Sequence, residues 1–472
     1  MIKLLLTSKS MVFWIIVHIL LGFVSLISPL PLIVWFYVAL FSSFVVVSRS
    51  NTPPSVYISF MVYMISFEII SRMAQTSPYI PYEMGKYLFF IFLVIGVIKY
   101  KTTSWPPFIM ALCLLPAVLF DLSGQVSFLD MIFNFLGPLN VALAMLFFYG
   151  KRISLKMLLE TFKLLIYPMV SVLAFALFKA PDLVEVDFSL GANSITSGGF
   201  GSNQVSTGLG LATFIVFIFW INRWKLTGFR ILDTGLLVFF TLQGLLTFSR
   251  GGMVTGFLGI FLILFFLRSA TSQQVKRFGL VRIGKYLIPA FLVIMGTFFL
   301  VNRLTDGMLL LRYQGETQGT IAGNKQRSLN SITSGRFDIL MGDLDLWLDH
   351  PVFGVGAGTS KYLRERMNGI VAHVELSRLL AEHGLLGLIY FIILMYFGFK
   401  IVRSHPNPAV LGILIALFSV GVFTSFHAAM RTFVSPLMIG LSMLTIKDAR
   451  GKKLTKAKDS PVQLVNQTPI KI

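Results

Sequence analysis

Runs of apolar residues about as long as the 20 or so that cross a hydrocarbon layer recur along the whole chain. Met11–Ser28, Met131–Tyr149 and Val205–Ile221 are three of them. In lipid no water bonds the backbone, so such runs satisfy their own N–H and C=O groups as helices. Apolar cores fall at 11–28, 30–47, 56–74, 84–98, 105–120, 128–149, 157–178, 204–221, 231–247, 252–267, 285–301, 384–402, 408–427 and 430–446. Charged residues are only 13% of the chain, against about a quarter in a soluble domain, so little remains for a soluble exterior. The spacing predicts an all-α, polytopic membrane helix bundle of about 12–14 transmembrane helices, with one long helical extracytoplasmic loop.

The formal net charge of +20 raises nucleic acid as a partner. Its distribution argues against that class. The cations sit in short clusters between apolar runs, as in cytoplasmic loops of membrane proteins. They are Arg49; Lys99 and Lys101; Lys151, Arg152 and Lys156; Arg223, Lys225 and Arg230; Arg268 through Lys285; and Arg403. The alternate connections 75–83, 121–127 and 179–203 are poor in Lys and Arg. This pattern places both termini in the cytoplasm. Lys3 and Lys9 before the first run resemble a signal peptide, but no small-x-small cleavage site follows, so the run is read as a retained span. The tail begins with Lys447, Arg450, Lys452, Lys453, Lys456 and Lys458, which suits anionic headgroups or simple positive-inside anchoring. The single cysteine, Cys113, excludes an internal disulfide and a cysteine-based metal site.

Four regions follow: transmembrane helices 1–11 over 1–301, an extracytoplasmic loop over 302–383, helices 12–14 over 384–446, and a basic cytoplasmic tail over 447–472. The loop holds nine Lys/Arg and nine Asp/Glu, so it is nearly neutral. A structureless loop of this length is unusual. Phe337, Leu340, Met341, Leu344 and Trp347 recur at helical spacing, with Ser334 as a candidate N-cap. That helix is expected on the membrane surface or against the bundle.

Several constellations stand at the outer ends of spans. In Thr247-Phe248-Ser249-Arg250-Gly251-Gly252, Ser249 is placed to cap a helix whose first turn holds Arg250. A helix N-terminus already carries partial positive charge, so a cation there is misplaced unless an anion joins it. Arg336, after Ser334, repeats the arrangement. Two such starts suggest a diphosphate; headgroup snorkelling or an ion pair with a loop carboxylate is the alternative. His350-Pro351-Val352-Phe353-Gly354-Val355-Gly356-Ala357-Gly358 lacks the Gly-Lys-Ser/Thr of a phosphate loop, and its glycines are expected to supply turns. The stretch 372–384 reads as a helix on which His373 and Ser377 share a face and Arg378 pairs with Glu382. His373 can take a proton from an alcohol or serve only as a structural hydrogen-bonder. Asn203 and Gln204 can contact sugar hydroxyls or cap their helix. Asp343 and Asp345 form a DxD pair, read as a solvated helix face. Glu68 and Arg72 are expected to satisfy each other. His427 and Arg431 bracket the last external hairpin.

As an ordered set these segments resemble the O-antigen ligase and polymerase superfamily, the lipid-linked glycan transferases of bacterial envelopes. The carrying residues are FGSNQ at 200–204, SRGG at 249–252, SGRFDILMGDLDLW at 334–347, HPVFGVGAG at 350–358, His373, and AEHGLLG at 381–387. The family often has Asn after this histidine, where the chain has Val374. The resemblance implies a bacterial inner-membrane glycosyltransferase working on the periplasmic face without metal, cofactor or nucleic acid. Its donor would be a glycan on undecaprenyl diphosphate and its acceptor a lipid-anchored sugar such as the lipopolysaccharide core, among membrane lipids. Arg250 and Arg336 would hold the diphosphate and His373 would assist the acceptor hydroxyl. Asn203, Arg378, Glu382 and Arg431 are the further substrate-binding candidates. A polymerase joining lipid-linked repeat units is the near alternative. A lipid-linked glycan flippase is the alternative of another class.

Overall fold

The computed structural model describes residues 11–181, 186, 188–222, 224–280 and 287–447. Lys3, Lys9, Arg223, the 281–286 part of the Arg268-to-Lys285 connection and the tail cations from Arg450 onward lie outside the described residues. Each expected apolar core contains a helix among the described residues. In chain order the helices begin with α1 (Met11–Val24), α2 (Leu30–Val47), α3 (Pro54–Ile65), α4 (Glu68–Met73), α5 (Met84–Lys99) and α6 (Trp105–Leu114). Next come α7 (Phe128–Phe148), strand β1 (Arg152–Ser154), α8 (Leu155–Lys179), α9 (Ser202–Trp220), α10 (Arg230–Leu246) and α11 (Arg250–Arg268). After α12 (Ser272–Arg277), α13 (Leu287–Leu304) leads into the loop helices α14 (Met308–Gln314), α15 (Gln318–Ile321), α16 (Leu329–Ile332), α17 (Arg336–Asp349) and α18 (Ser360–Leu363). The chain closes with α19 (Glu375–Arg403), α20 (Pro408–His427), α21 (Val434–Ser442) and strand β2 (Thr445–Lys447).

The fold is therefore an all-α polytopic bundle. Among the described residues, 8 helices are long and apolar enough to cross a membrane alone, or 9 if α13 and α14, bent by 112°, form one span. The remaining expected spans are helical but shorter, α6 and α21 most of all, with 10 and 9 residues.

The basic connections meet at one end. Lys99 Nζ donates to the carbonyls of Val47 and Arg49, at 2.5 and 2.6 Å. Lys151 Nζ donates to Thr102 Oγ1 at 2.9 Å. There β1 pairs with β2 in parallel, Ile153 opposite Ile446. At the opposite end α9, α11 and α20 begin or finish around the loop helices.

Glycines let three of these helices touch. A Cβ on Gly252 would lie 2.3 Å from the Ser206 carbonyl carbon, and one on Gly256 2.4 Å from the Gly210 oxygen. Small residues four apart allow such backbone contact between membrane helices. Gly251 lies against the His427 ring on α20. The two glycines after Arg250 thus wedge the α11 start between α9 and α20.

The loop also returns to the bundle on glycines. Gly354, Gly356 and Gly358 all have positive φ, at 72°, 103° and 84°. Val355 N and Gly356 N donate to the carbonyls of Ala381 and Glu382, at 2.9 and 3.2 Å. These acceptors are free because α19 breaks at Gly384 (φ 59°, ψ −137°), a backbone that a side chain would strain. Leu385 N beyond the break donates to the Pro351 carbonyl at 2.8 Å. The 350–358 segment is a turn that splices onto a broken helix.

Candidate functional site

Arginines gather at this loop-covered end. Arg250, first residue of α11, donates through Nη1 to the Arg312 carbonyl at 2.8 Å. Its Nη2 donates to the Ile332 carbonyl at 2.5 Å and to Ser334 Oγ at 3.2 Å. Arg312 returns the contact, its Nη2 donating to the same Ser334 Oγ at 3.2 Å and its Nε to the Phe248 carbonyl at 3.4 Å. Arg336, first residue of α17, is close enough to Arg250 that burial and then that neighbouring charge hold its pKa below the usual arginine value. None of Arg250, Arg312 and Arg336 has a carboxylate partner among the described residues. The neutral contacts of Arg250 and Arg312 compensate no charge, and the three guanidiniums lie within one another's field.

Two capping expectations are corrected here. Ser334 does not cap α17: its backbone is left-handed (φ 57°), Gly335 occupies the N-cap, and the hydroxyl serves Arg250 and Arg312 instead. Ser249 stands at the N-cap of α11 but makes no side-chain cap; its Oγ donates to Asn203 Oδ1 at 3.4 Å. Arg312 was not singled out from the sequence. It lies inside a seven-residue helix with no motif around it. The only local signal is that it stands three residues after buried Leu309, on the same side.

His373 lies two residues before α19 begins at Glu375, so it does not share a helix face with Ser377 as the sequence spacing suggested. Its Nδ1 is buried and unpartnered. Burial, then the positive charges of Arg431 and Arg336, push its imidazole down to about 3. It is therefore neutral at physiological pH, the form that can accept a proton.

Arg431 sits in the turn between α20 and α21. Its Nη2 donates to the Ala372 carbonyl, and burial followed by Arg378 holds its pKa down to about 10. Buried carboxylates fix this turn. Met430 N donates to Glu375 Oε2 at 2.9 Å, and Phe433 N to Glu68 Oε2 at 2.8 Å. Ala429 N donates to the His373 carbonyl at 3.0 Å. The segment bearing His373 and the turn bearing Arg431 are thereby stitched together.

Arg378 and Glu382 lie beneath these residues and are buried. Arg378 contacts Glu375 at 2.5 Å, Glu382 at 3.5 Å and Asn134 Oδ1 at 2.8 Å; Glu382 also accepts from Ser360 Oγ at 2.9 Å. The Arg378 Nη groups and the Glu382 carboxylate are engaged inside the protein, a placement that supports the site from below. Asn203 is a brace of the same kind. Its Nδ2 donates to the His427 carbonyl at 2.8 Å, joining α9 to α20. His427 is itself buried, with Nε2 against Thr207 Oγ1 at 3.1 Å. Arg72 meets Glu68 at 2.5 Å as expected, and also Gln204 Oε1 at 2.5 Å and Glu83 at 3.3 Å.

The reading of Asp343 and Asp345 as one solvated face is corrected. Asp345 is exposed, but Asp343 is fully buried, 3.2 Å from Arg364 Nε and accepting from Ser377 Oγ at 2.7 Å. Burial pushes Asp343 up to about 6 against the pull of Arg364. The two carboxylates point apart. Among the described residues no group of three or more His, Cys, Asp and Glu side chains converges as metal ligands would.

The fold and site define a class by their architecture: a multi-helix membrane bundle that carries a cationic, carboxylate-free cluster under a long loop. The family model described as O-antigen ligase matches residues 235–392, a segment that includes Arg250, Arg312, Arg336 and His373 but neither Asn203 nor Arg431. Over that segment, about a third of its length, the chain is similar to the O-antigen ligase superfamily, whose members are membrane glycosyltransferases of ligase and polymerase type. No curated protein and no solved structure matches it significantly.

Proposed function

We propose that the chain transfers a glycan from undecaprenyl diphosphate to a lipid-anchored sugar, the lipopolysaccharide core, on the periplasmic face of the bacterial inner membrane. The observation that carries this reading is the convergence of Arg250, Arg312 and Arg336 without a carboxylate, beside a neutral His373. The acceptor hydroxyl attacks the anomeric carbon of the donor. The carbon–oxygen bond to the diphosphate breaks, and the departing diphosphate keeps the electron pair. Its charge is stabilised by Arg250, Arg312 and Arg336, acting as cations held in place by the fold. The hydroxyl proton passes to His373. No metal is required for this charge balance. The backbone carbonyls and Ser334 that now occupy the guanidiniums of Arg250 and Arg312 are weaker partners than a diphosphate, and exchange for it on binding. Arg431 lies near His373 and suits the acceptor side.

The test is transfer in vesicles with purified donor and acceptor. Arg250→Ala, Arg312→Ala and Arg336→Ala are each expected to lower the rate by roughly 10²–10³-fold, the scale for one transition-state donor, while the protein still enters the membrane. Full activity in all three variants refutes the reading. Donor movement across the bilayer without a new glycosidic bond would favour a flippase. Products lengthened by repeat units on the carrier lipid would make the enzyme a polymerase.

A further inference from the structure

The end of the bundle remote from this site carries a second feature that glycosyl transfer does not use. Helices α11 and α19 both pack on α20 but stand apart from each other, leaving a groove of about 440 Å³. Leu411 and Ile415 of α20 form its floor, and Phe261, Phe265 and Phe399 line its walls. The stripe on each wall ends in a cation. Phe261, Phe265 and Arg268 are spaced four and three apart on α11, and Phe399 and Arg403 four apart on α19, so each set occupies one helix face. Arg268 and Arg403 are the last residues of their helices, so both stand at the same end of the bundle. Both are exposed, and the Arg403 guanidinium lies 5.7 Å over the Phe399 ring, across the groove wall.

Neither arginine has an ion pair among the described residues, and the sequence explains why: residues 250–280 and 385–447 contain no Asp or Glu. Arg403 lines the groove, and Arg268 stands less than a turn beyond the lining residue Phe265 at the same end; two unmatched cations so placed beside an apolar slot complement one ligand chemistry, an acyl chain bearing a negative headgroup. We propose that this groove is a binding site for an anionic phospholipid, with its acyl chain on Leu411 and Ile415 and its phosphate between Arg268 and Arg403. A second groove among the described residues provides an internal contrast. It measures about 580 Å³, runs between α1, α8 and α10, and is lined by apolar residues and Thr227 without a cation. Lipid tails would fill it with no headgroup preference.

Native mass spectrometry of the full-length protein, exchanged into phosphatidylglycerol or phosphatidylcholine, reads this directly. The wild type is expected to retain one phosphatidylglycerol on the order of tenfold more often than phosphatidylcholine, as two surface cations near a headgroup allow. Arg268→Gln with Arg403→Gln should abolish that preference, and the double Lys variant should keep most of it. Leu411→Trp, which fills the slot but leaves both arginines, should also release the lipid. Arg49→Gln with Lys101→Gln removes equal charge from connections outside the groove and should change nothing. Equal retention of the two lipids by the wild type overturns the proposal. So does an undiminished preference in the Arg268/Arg403 Gln double variant. An equal loss in the Arg49/Lys101 control would assign the effect to general surface charge and overturn it as well.

Discussion

At the scale of single residues, burial sets what each ionisable group can do. His373 is half-buried, with its Nδ1 out of contact with water, and faces Arg431, Arg336, His427 and Arg364, so its conjugate acid is disfavoured and its pKa falls to about 3. A base whose pKa lies that low is already deprotonated throughout the physiological range. The pH profile of kcat/KM should therefore show no inflection near 6.5 from this residue, and His373→Ala should lower the rate by roughly 10²–10⁴-fold. An inflection near 6.5 that vanishes in His373→Gln would contradict the assigned protonation state. Asp343 behaves differently, because it has a counter-ion. Its contact with Arg364 is fully buried on both sides. Asp343→Ala strands that guanidinium, at a cost of about 3–5 kcal/mol, and thermal unfolding in detergent should show the loss. Asp345→Ala, on the exposed side of the same helix, should leave stability within about 0.5 kcal/mol.

At the scale of elements, the Ser-Arg-Gly-Gly start of α11 combines two functions. The arginine supplies charge, while Gly252 lets the α11 backbone rest on Ser206 of α9. Gly252→Ala is expected to push these backbones apart, because the Cβ would meet a carbonyl carbon at 2.3 Å and no side chain can move to relieve it. Transfer should fall by at least tenfold although Arg250 is intact, with a lower unfolding temperature; normal values of both would show that the contact is not required. This element was half legible in the sequence. The charge at a helix start invited an anion, but the local pattern also suggested a Ser249 cap, and the fold spends that hydroxyl on Asn203. The same holds for α17, where helical spacing located the element yet left the partners of Asp343 and Ser334 unread.

At the scale of the whole molecule, buried carboxylates tie distant helices into one platform. Glu68 and Glu375 stand in α4 and α19, and both accept backbone N–H groups from the turn that carries Arg431. Glu375→Ala should destabilise the protein by about 3–5 kcal/mol, since Arg378 loses a buried partner, and should impair transfer without touching substrate. Glu375→Gln keeps an acceptor for Met430 N and should be milder in both assays; identical behaviour of the two variants would argue against this tie. The sequence by itself determined the membrane class, the positions of the helices and the candidacy of Arg250, Arg336 and His373. These rest on local quantities: hydropathy over one span, charge at one helix end, and the order of short motifs. Tertiary structure alone decided that Arg312 joins the arginines, and that Arg378, Glu382 and Asn203 brace the site from within. It also buried Asp343 and separated it from Asp345. The physical reason is that a charge's partner and its distance from water are non-local. Arg378 finds Asn134 across 244 residues, and Arg250 finds Ser334 across 84, separations that no periodicity within a helix can encode.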